Sequence, residues 1–134
     1  NAINHVDLVL HKTSPADIDF KTTGATTIFS TPAGLAFIPM GWGIYLTSVS
    51  GFLTVPVYNL GTNAAAYDNY GDNLIIFPFD TSNTGSITTT SEASANTGDY
   101  IPPSTDFKIN ITAGATGTTV TGRVFIYGFY VPDN

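Results

Sequence analysis

The chain has 134 residues, 43% of them hydrophobic and only 10% charged, with a formal net charge of -6 and no cysteine. That length suits one domain with a core of its own, and the missing cysteines exclude disulfides and thiolate metal sites. Ten acids stand against the scattered Lys12, Lys21, Lys108 and Arg123, so no basic patch offers itself to nucleic-acid phosphates or to an anionic membrane.

No apolar run approaches the length of a membrane-spanning helix, and no signal peptide is expected from the opening residues, which begin at Asn1. Thr, Ser, Asn and Gly supply the polarity that charge does not, a composition that favours strands with hydroxyl-rich outer faces.

In chain order, residues 3–12 (INHVDLVLHK) alternate as a strand. Val6, Leu8 and Leu10 are expected on the inner face, with His5, Asp7, Val9 and His11 towards solvent. Thr13-Ser14-Pro15 ends it, because proline cannot donate to a ladder. Asp17–Phe20 reads as a short helical turn or an edge strand. Thr26–Ser30 is extended and leads into the turn Thr31-Pro32-Ala33-Gly34.

Residues 35–50 form a long strand with Ile38, Met40, Trp42, Ile44 and Leu46 on one face. Pro39, Gly41 and Gly43 on the other face predict a bend or bulge. Residues 53–60 return as a strand, which Pro56 puts at an edge or a break. Residues 61–73 are a long polar loop with one helical turn at 63–67. Leu74–Phe79 reads as a buried strand, and residues 85–90 as a strand within a Ser/Thr/Asn-rich stretch.

Residues 106–112 alternate cleanly, with Phe107, Ile109 and Ile111 inward. After a Gly-rich turn comes Thr119–Val131 (TVTGRVFIYGFYV). Val120, Gly122, Val124, Ile126 and Tyr130 form one apolar face, yet Phe125, Tyr127, Phe129 and Val131 make the opposite face apolar too. A strand apolar on both sides is central, or is covered by something beyond its own sheet.

About eight antiparallel strands with frequent turn signals and no helical period predict an all-β, two-layer β-sandwich of jelly-roll type. An immunoglobulin-like sandwich is the rival, but its Cys-Trp-Cys core is absent. Residues 1–134 are expected to form a single domain, with 1–15 either a strand of it or an arm engaging a neighbour.

The candidate chemistry is sparse. His5 and His11 lie about 20 Å apart along a strand and cannot share a metal ion. The loop Tyr67-Asp68-Asn69-Tyr70-Gly71-Asp72-Asn73 carries oxygens suited to calcium, but the same residues are ordinary turn formers. Its Tyr67 and Tyr70 suit a contact surface.

Trp42 reads as a core residue rather than a sugar platform. Asn110-Ile111-Thr112 matches a glycosylation pattern that matters only on a eukaryotic secretory route. Glu92 is the one glutamate, no acid pair or nucleophile motif appears, and neither an enzyme nor a cofactor is expected.

Three segments carry a family resemblance: IFSTPAGLAFIPMGWGIYLTSVSG (28–51), VPVYNLGTNAAAYDNY (55–70) and FKINITAGATGTTVTGRVFIYGFYV (107–131). Together, the PAG turn, the LGTN loop ending in YDN and the closing TGRV strand with its Tyr-Gly-aromatic finish resemble small bacteriophage virion proteins of the jelly-roll capsid decoration (cement) type.

The resemblance implies a non-enzymatic part on the outer surface of a capsid, with the major capsid protein as partner and a homo-oligomer, a trimer, as its assembled form. A receptor- or glycan-binding domain of a tail or fibre, using Tyr58, Tyr67, Tyr70 and Tyr100, is the alternative. The interface expected from these readings comprises Phe125, Tyr127, Phe129, Tyr67 and Tyr70.

Overall fold

The computed structural model describes residues 8–12, 17–51, 54–75, 87–90 and 100–133, with Ile75 and residues 87–90 described by their backbone. Among the described residues, nine strands run in chain order: β1 Val9–Lys12, β2 Ile18–Asp19, β3 Gly24–Ser30, β4 Leu35–Ser50, β5 Val57–Gly61, β6 Gly71–Ile75, β7 Ile87–Thr90, β8 Asp106–Ala113 and β9 Thr119–Pro132.

They form two antiparallel sheets. Sheet A runs β1-β9-β4-β7, with β2 also on β9, and sheet B runs β3-β8-β5-β6. β1 and β2 occupy successive stretches of one edge of β9, Lys12 facing Phe125 and Ile18 facing Gly122. They are one interrupted strand, so the nine segments fill eight sheet positions. β5 and β6 are consecutive neighbours within sheet B, whereas β3 to β4, β4 to β5 and β8 to β9 each pass from one sheet to the other. This is the jelly-roll arrangement expected from the sequence.

The core lies between the sheets. β9 contributes Val120, Val124 and Ile126, and β8 contributes Phe107, Ile109 and Ile111, as their alternation predicts. Trp42 is buried and meets Tyr58 edge to face at 5.8 Å between ring centroids. At one end, aromatic rings join the layers. Phe29 of β3 lies 5.0 Å from Phe37 of β4 and 5.8 Å from Phe107 of β8, and Phe37 lies 5.0 Å from Tyr130 of β9. Gly128 makes room there: a Cβ on it would sit 2.0 Å from the Ile38 carbonyl oxygen and 3.0 Å from the Phe37 ring.

Two strands face otherwise than their patterns suggest. In β1 it is Val9 and His11 that turn inward, while Leu8 and Leu10 are 68% and 57% exposed. The register decides this. His11 is opposite Ile126 and Val9 opposite Gly128, both on the inner face of β9, and directly opposed residues share a face. His11 stacks flat on Phe29 at 4.3 Å and shares a 2.7 Å hydrogen bond with the Tyr130 hydroxyl. Burial holds its pKa below the usual imidazole value.

In β4 the expected bulge falls at Met40, between Pro39 and Gly41. The extra residue shifts the alternation, so Phe37 faces the core on one side of the bulge and Trp42, Ile44 and Leu46 on the other. Ile38, opposite the outer-face Phe129, and Met40 turn away from the core, against expectation.

Elsewhere, Asp17–Phe20 supplies the short edge strand β2, and β5 begins just after Pro56. Residues 63–67 close on themselves through Tyr67 N donating to Asn63 O, but Ala65 at φ 76° and Tyr67 at φ 50° are left-handed, so this is a tight turn and not the helical turn expected. Of the strand expected over 74–79, residues 76–79 lie outside the described residues, as do 1–7, 13–16 and Glu92.

Candidate interaction face

The side chains that alternate with the core positions of β9 make a row on the outside of sheet A: Arg123, Phe125, Tyr127, Phe129 and Val131, all half-buried. None belongs to the hydrophobic core cluster. Their cross-strand neighbours set the surroundings. On the β1 side, Phe125 faces Lys12 and Tyr127 faces Leu10. On the β4 side, Phe125 faces Gly43, Tyr127 faces Gly41 and Phe129 faces Ile38.

Gly41 explains why the Tyr127 ring is only half exposed. The Tyr127 ring lies down over Gly41, where an added Cβ would come within 2.3 Å of its hydroxyl oxygen. The face is apolar and, at Tyr127, low.

Beside this row is a groove of about 480 Å³ lined by Leu10, Lys12, Asp17, Tyr45, Thr47, Arg123 and Phe125. One wall is ionic. Asp17 accepts from Arg123 Nε at 2.9 Å and from the Thr47 hydroxyl, and Thr47 itself protrudes at a second irregularity of β4, between Leu46 and Ser48. The Thr47 hydrogen bond, reinforced by Arg123, holds the Asp17 carboxyl below its ordinary pKa. The rest of the groove is lined by Leu10, Lys12, Tyr45 and Phe125.

The outside of sheet B is different. Lys108 and Asn110 of β8 and Asn59 of β5 face outward there, and residues 62–69 fold back over them. Both asparagine side-chain amides donate to Ala66 O at 3.2 Å, and Asn59 Oδ1 accepts from Asn73 N at 2.8 Å. Asn63 closes the loop on itself: its Oδ1 accepts from Asp68 N at 2.9 Å and Asn69 N at 3.1 Å, and its Nδ2 donates to Asp68 Oδ1 at 2.7 Å.

The sequence-predicted contact residues thus divide. Phe125, Tyr127 and Phe129 come together on the outside of sheet A. Tyr67 lies on the sheet B side, with the Lys108 ammonium 5.3 Å from its ring centroid. Tyr70 is 7% exposed and packs against Phe107 at 5.3 Å, with its hydroxyl pushed up to about 12 chiefly by burial. It is part of the chain's own core. Tyr58 is buried as well, and burial raises its hydroxyl pKa strongly.

Leu10, Lys12 and Tyr45 are groove residues that the contact list missed. Tyr45 was readable, since it alternates with the core residues Ile44 and Leu46; Leu10 was not, because its facing depends on the β1–β9 register.

The other candidate chemistry is absorbed by structure. The side-chain oxygens of Asn63, Asp68 and Asn69 already accept hydrogen bonds within the loop. Among the described residues no three His, Asp or Glu side chains gather as metal ligands. His5 and Asp7 lie outside those residues. A second, smaller cleft of about 180 Å³ opens where Thr62 and Asn69 meet Tyr100, Ile101, Pro102 and Phe107.

Known proteins compare with the chain through structure alone. No family model matches it, and no curated protein does. Among solved structures, it is similar to a chain of the cyanophage Pam1 capsid asymmetric unit, with a TM-score of 0.52 and 18% identity over 96% of this chain and 91% of that one. It is also similar to a chain in the acidic stable capsid structure of Helicobacter pylori bacteriophage KHP30, with a TM-score of 0.60 and 14% identity over 94% of both. At such identities the likeness is one of fold.

Proposed function

We propose that this chain is a non-enzymatic structural protein of a bacteriophage virion, a decoration or cement subunit on the outer surface of the capsid. One observation carries the reading: the two structures named above are chains of phage capsids, and each is matched over more than nine-tenths of both partners. The matched chains are about this chain's size, which suits a part added to a shell.

The chemistry of the surface agrees. The described residues present an apolar face rather than a constellation of nucleophile, base and acid. The action is mechanical: each copy joins neighbouring major capsid proteins, and the buried interface it adds stabilises the assembled state over the dissociated one. The working unit is a homo-oligomer, a trimer, with Phe125, Tyr127 and Phe129 in contact with a neighbouring chain.

Capsids prepared with and without the chain test this directly. Those lacking it should lose integrity at lower temperature and in low salt, and adding purified protein back should restore them. Equal survival in both conditions would sink the reading.

The cleft beside Tyr100, which is 51% exposed and adjoins the amide of Asn69, favours a second reading as a glycan-binding domain of a tail or fibre. A glycan array without hits, or a copy number per particle that matches the shell, dismisses it.

A further inference from the structure

The two outer faces of the sandwich are unequal. Sheet B carries amides and hydroxyls outward, and residues 62–69 cover Asn59 and Asn110. Sheet A carries Phe125, Tyr127, Phe129 and Ile38 outward. Of the five large apolar side chains most exposed among the described residues, Leu8, Leu10, Met40 and Tyr45 lie on or beside its strands, and Tyr100 precedes Ile101, which bridges Phe37 of β4. An apolar sheet face of this extent marks a contact surface.

Charge identifies what meets it. The groove holds two of the chain's four bases, Lys12 and Arg123, against one acid, Asp17. Arg123 is engaged by Asp17, whereas Lys12 has no ion-pair partner among the described residues. The rest of the chain holds nine acids against two bases. A locally positive, apolar face on an acidic molecule complements the remainder of that same molecule.

We propose that the groove receives an extended apolar and acidic segment of a second copy of this chain, with apolar side chains against Leu10, Tyr45 and Phe125 and a carboxylate on Lys12. The inference rests on the assembly reading above and names its partner. A second copy is the occupant because it carries the complementary charge. Two grooves set face to face would oppose their Lys12 side chains, so the contact joins two different surfaces, and contacts of that kind close into rings when the rotation permits. The Asp17–Arg123–Thr47 cluster fixes the wall of the groove, while Lys12 is left to pair across the interface.

Sedimentation velocity of the purified chain over a range of concentrations, at low and high salt, tests the assignment. The wild type should associate, and high salt should weaken it. Lys12→Glu and Phe125→Ser should each weaken association by about tenfold or more, with far-UV spectra close to wild type and a dilute-solution Tm unchanged for Lys12→Glu and lowered by only about 4–6 °C for Phe125→Ser. Lys21→Glu makes the same change in net charge away from the groove and should leave association intact.

A wild type that stays monomeric up to its solubility limit overturns the proposal, and so does a Lys21→Glu effect equal to that of Lys12→Glu. Capsid binding is measured separately. If Lys12→Glu loses capsid binding but associates normally, the shell and not a second copy meets this face, and the proposal fails. If the wild type associates through this face without binding capsids, the decoration reading fails and this one stands.

Discussion

The division of the aromatic residues into an inner and an outer set has a measurable consequence in the isolated chain. Phe37 is fully buried and touches three rings, with His11 at 5.5 Å and Phe29 and Tyr130 each at 5.0 Å. Phe37→Ala should therefore cost about 4–5 kcal/mol, at the upper part of the range for deleting a core phenylalanine, because the ring contacts add to the lost burial.

For 134 residues, unfolding entropy of about 2.1 cal/mol/K per residue gives about 0.28 kcal/mol/K, so that loss lowers Tm by roughly 15 °C. Phe125 is half-buried and outside the core cluster. Phe125→Ala removes about half the burial of a phenylalanine, about 1 kcal/mol, and lowers Tm by about 4 °C. Thermal and urea unfolding of both variants, at protein concentrations too low for association, reads the contrast. Equal losses, or a larger loss for Phe125→Ala, would mean that β9 does not divide into a core face and a contact face, and the functional argument would lose its footing.

Further outcomes follow from single contacts. His11 is held neutral by burial, so the unfolded chain takes up the proton first as pH falls below about 6.5. Stability should decline from there until the pH reaches the lowered folded value, and His11→Phe, which keeps the stacking, should flatten that part of a Tm-versus-pH curve. Gly128→Ala forces a Cβ against the Ile38 carbonyl and the Phe37 ring; it should cost about 3 kcal/mol or more by overpacking, seen in urea titration. Asn63→Ala strips the Asp68 and Asn69 amides of their acceptor and should cost about 1–2 kcal/mol, with faster hydrogen exchange confined to residues 62–69.

Strand β8 was legible because it alternates with one apolar face, and β9 because its first half, up to Val124, alternates in the same way before both faces turn apolar. Their pairing partners were not written locally, and that is where the reading went astray. β1 carries Leu8 and Leu10 on one side and Val9 and His11 on the other, two plausible inner faces. Only the match of His11 with Ile126 chooses between them. In β4 the bulge was signalled by Pro39, Gly41 and Gly43, but which residue would be extruded was not, and Met40 carried Ile38 out of the core with it.

The outer face of β9 announced itself through Phe125, Tyr127 and Phe129. The loop did not: Tyr67 and Tyr70 look alike in sequence. They separate because Asn59, Asn63 and Asn110 draw the chain back onto sheet B, placing Tyr70 against Phe107 and leaving Tyr67 nearer the surface.

The long ladder between β4 and β9 also sets a timetable for the chain. Leu35 pairs with Pro132 and Ser50 with Thr119, with most of the sequence lying between. β9 is the strand on which β1, β2 and β4 all pair, so as the chain leaves the ribosome sheet A has only its β4–β7 pair until residues 119–132 emerge. The sandwich closes late and in one cooperative step, at the slow end of folding rates because its decisive pairings are distant ones. Until then the β9-side edge of β4 waits unpaired, and slowed translation of β9 would show itself as aggregation of nascent chains.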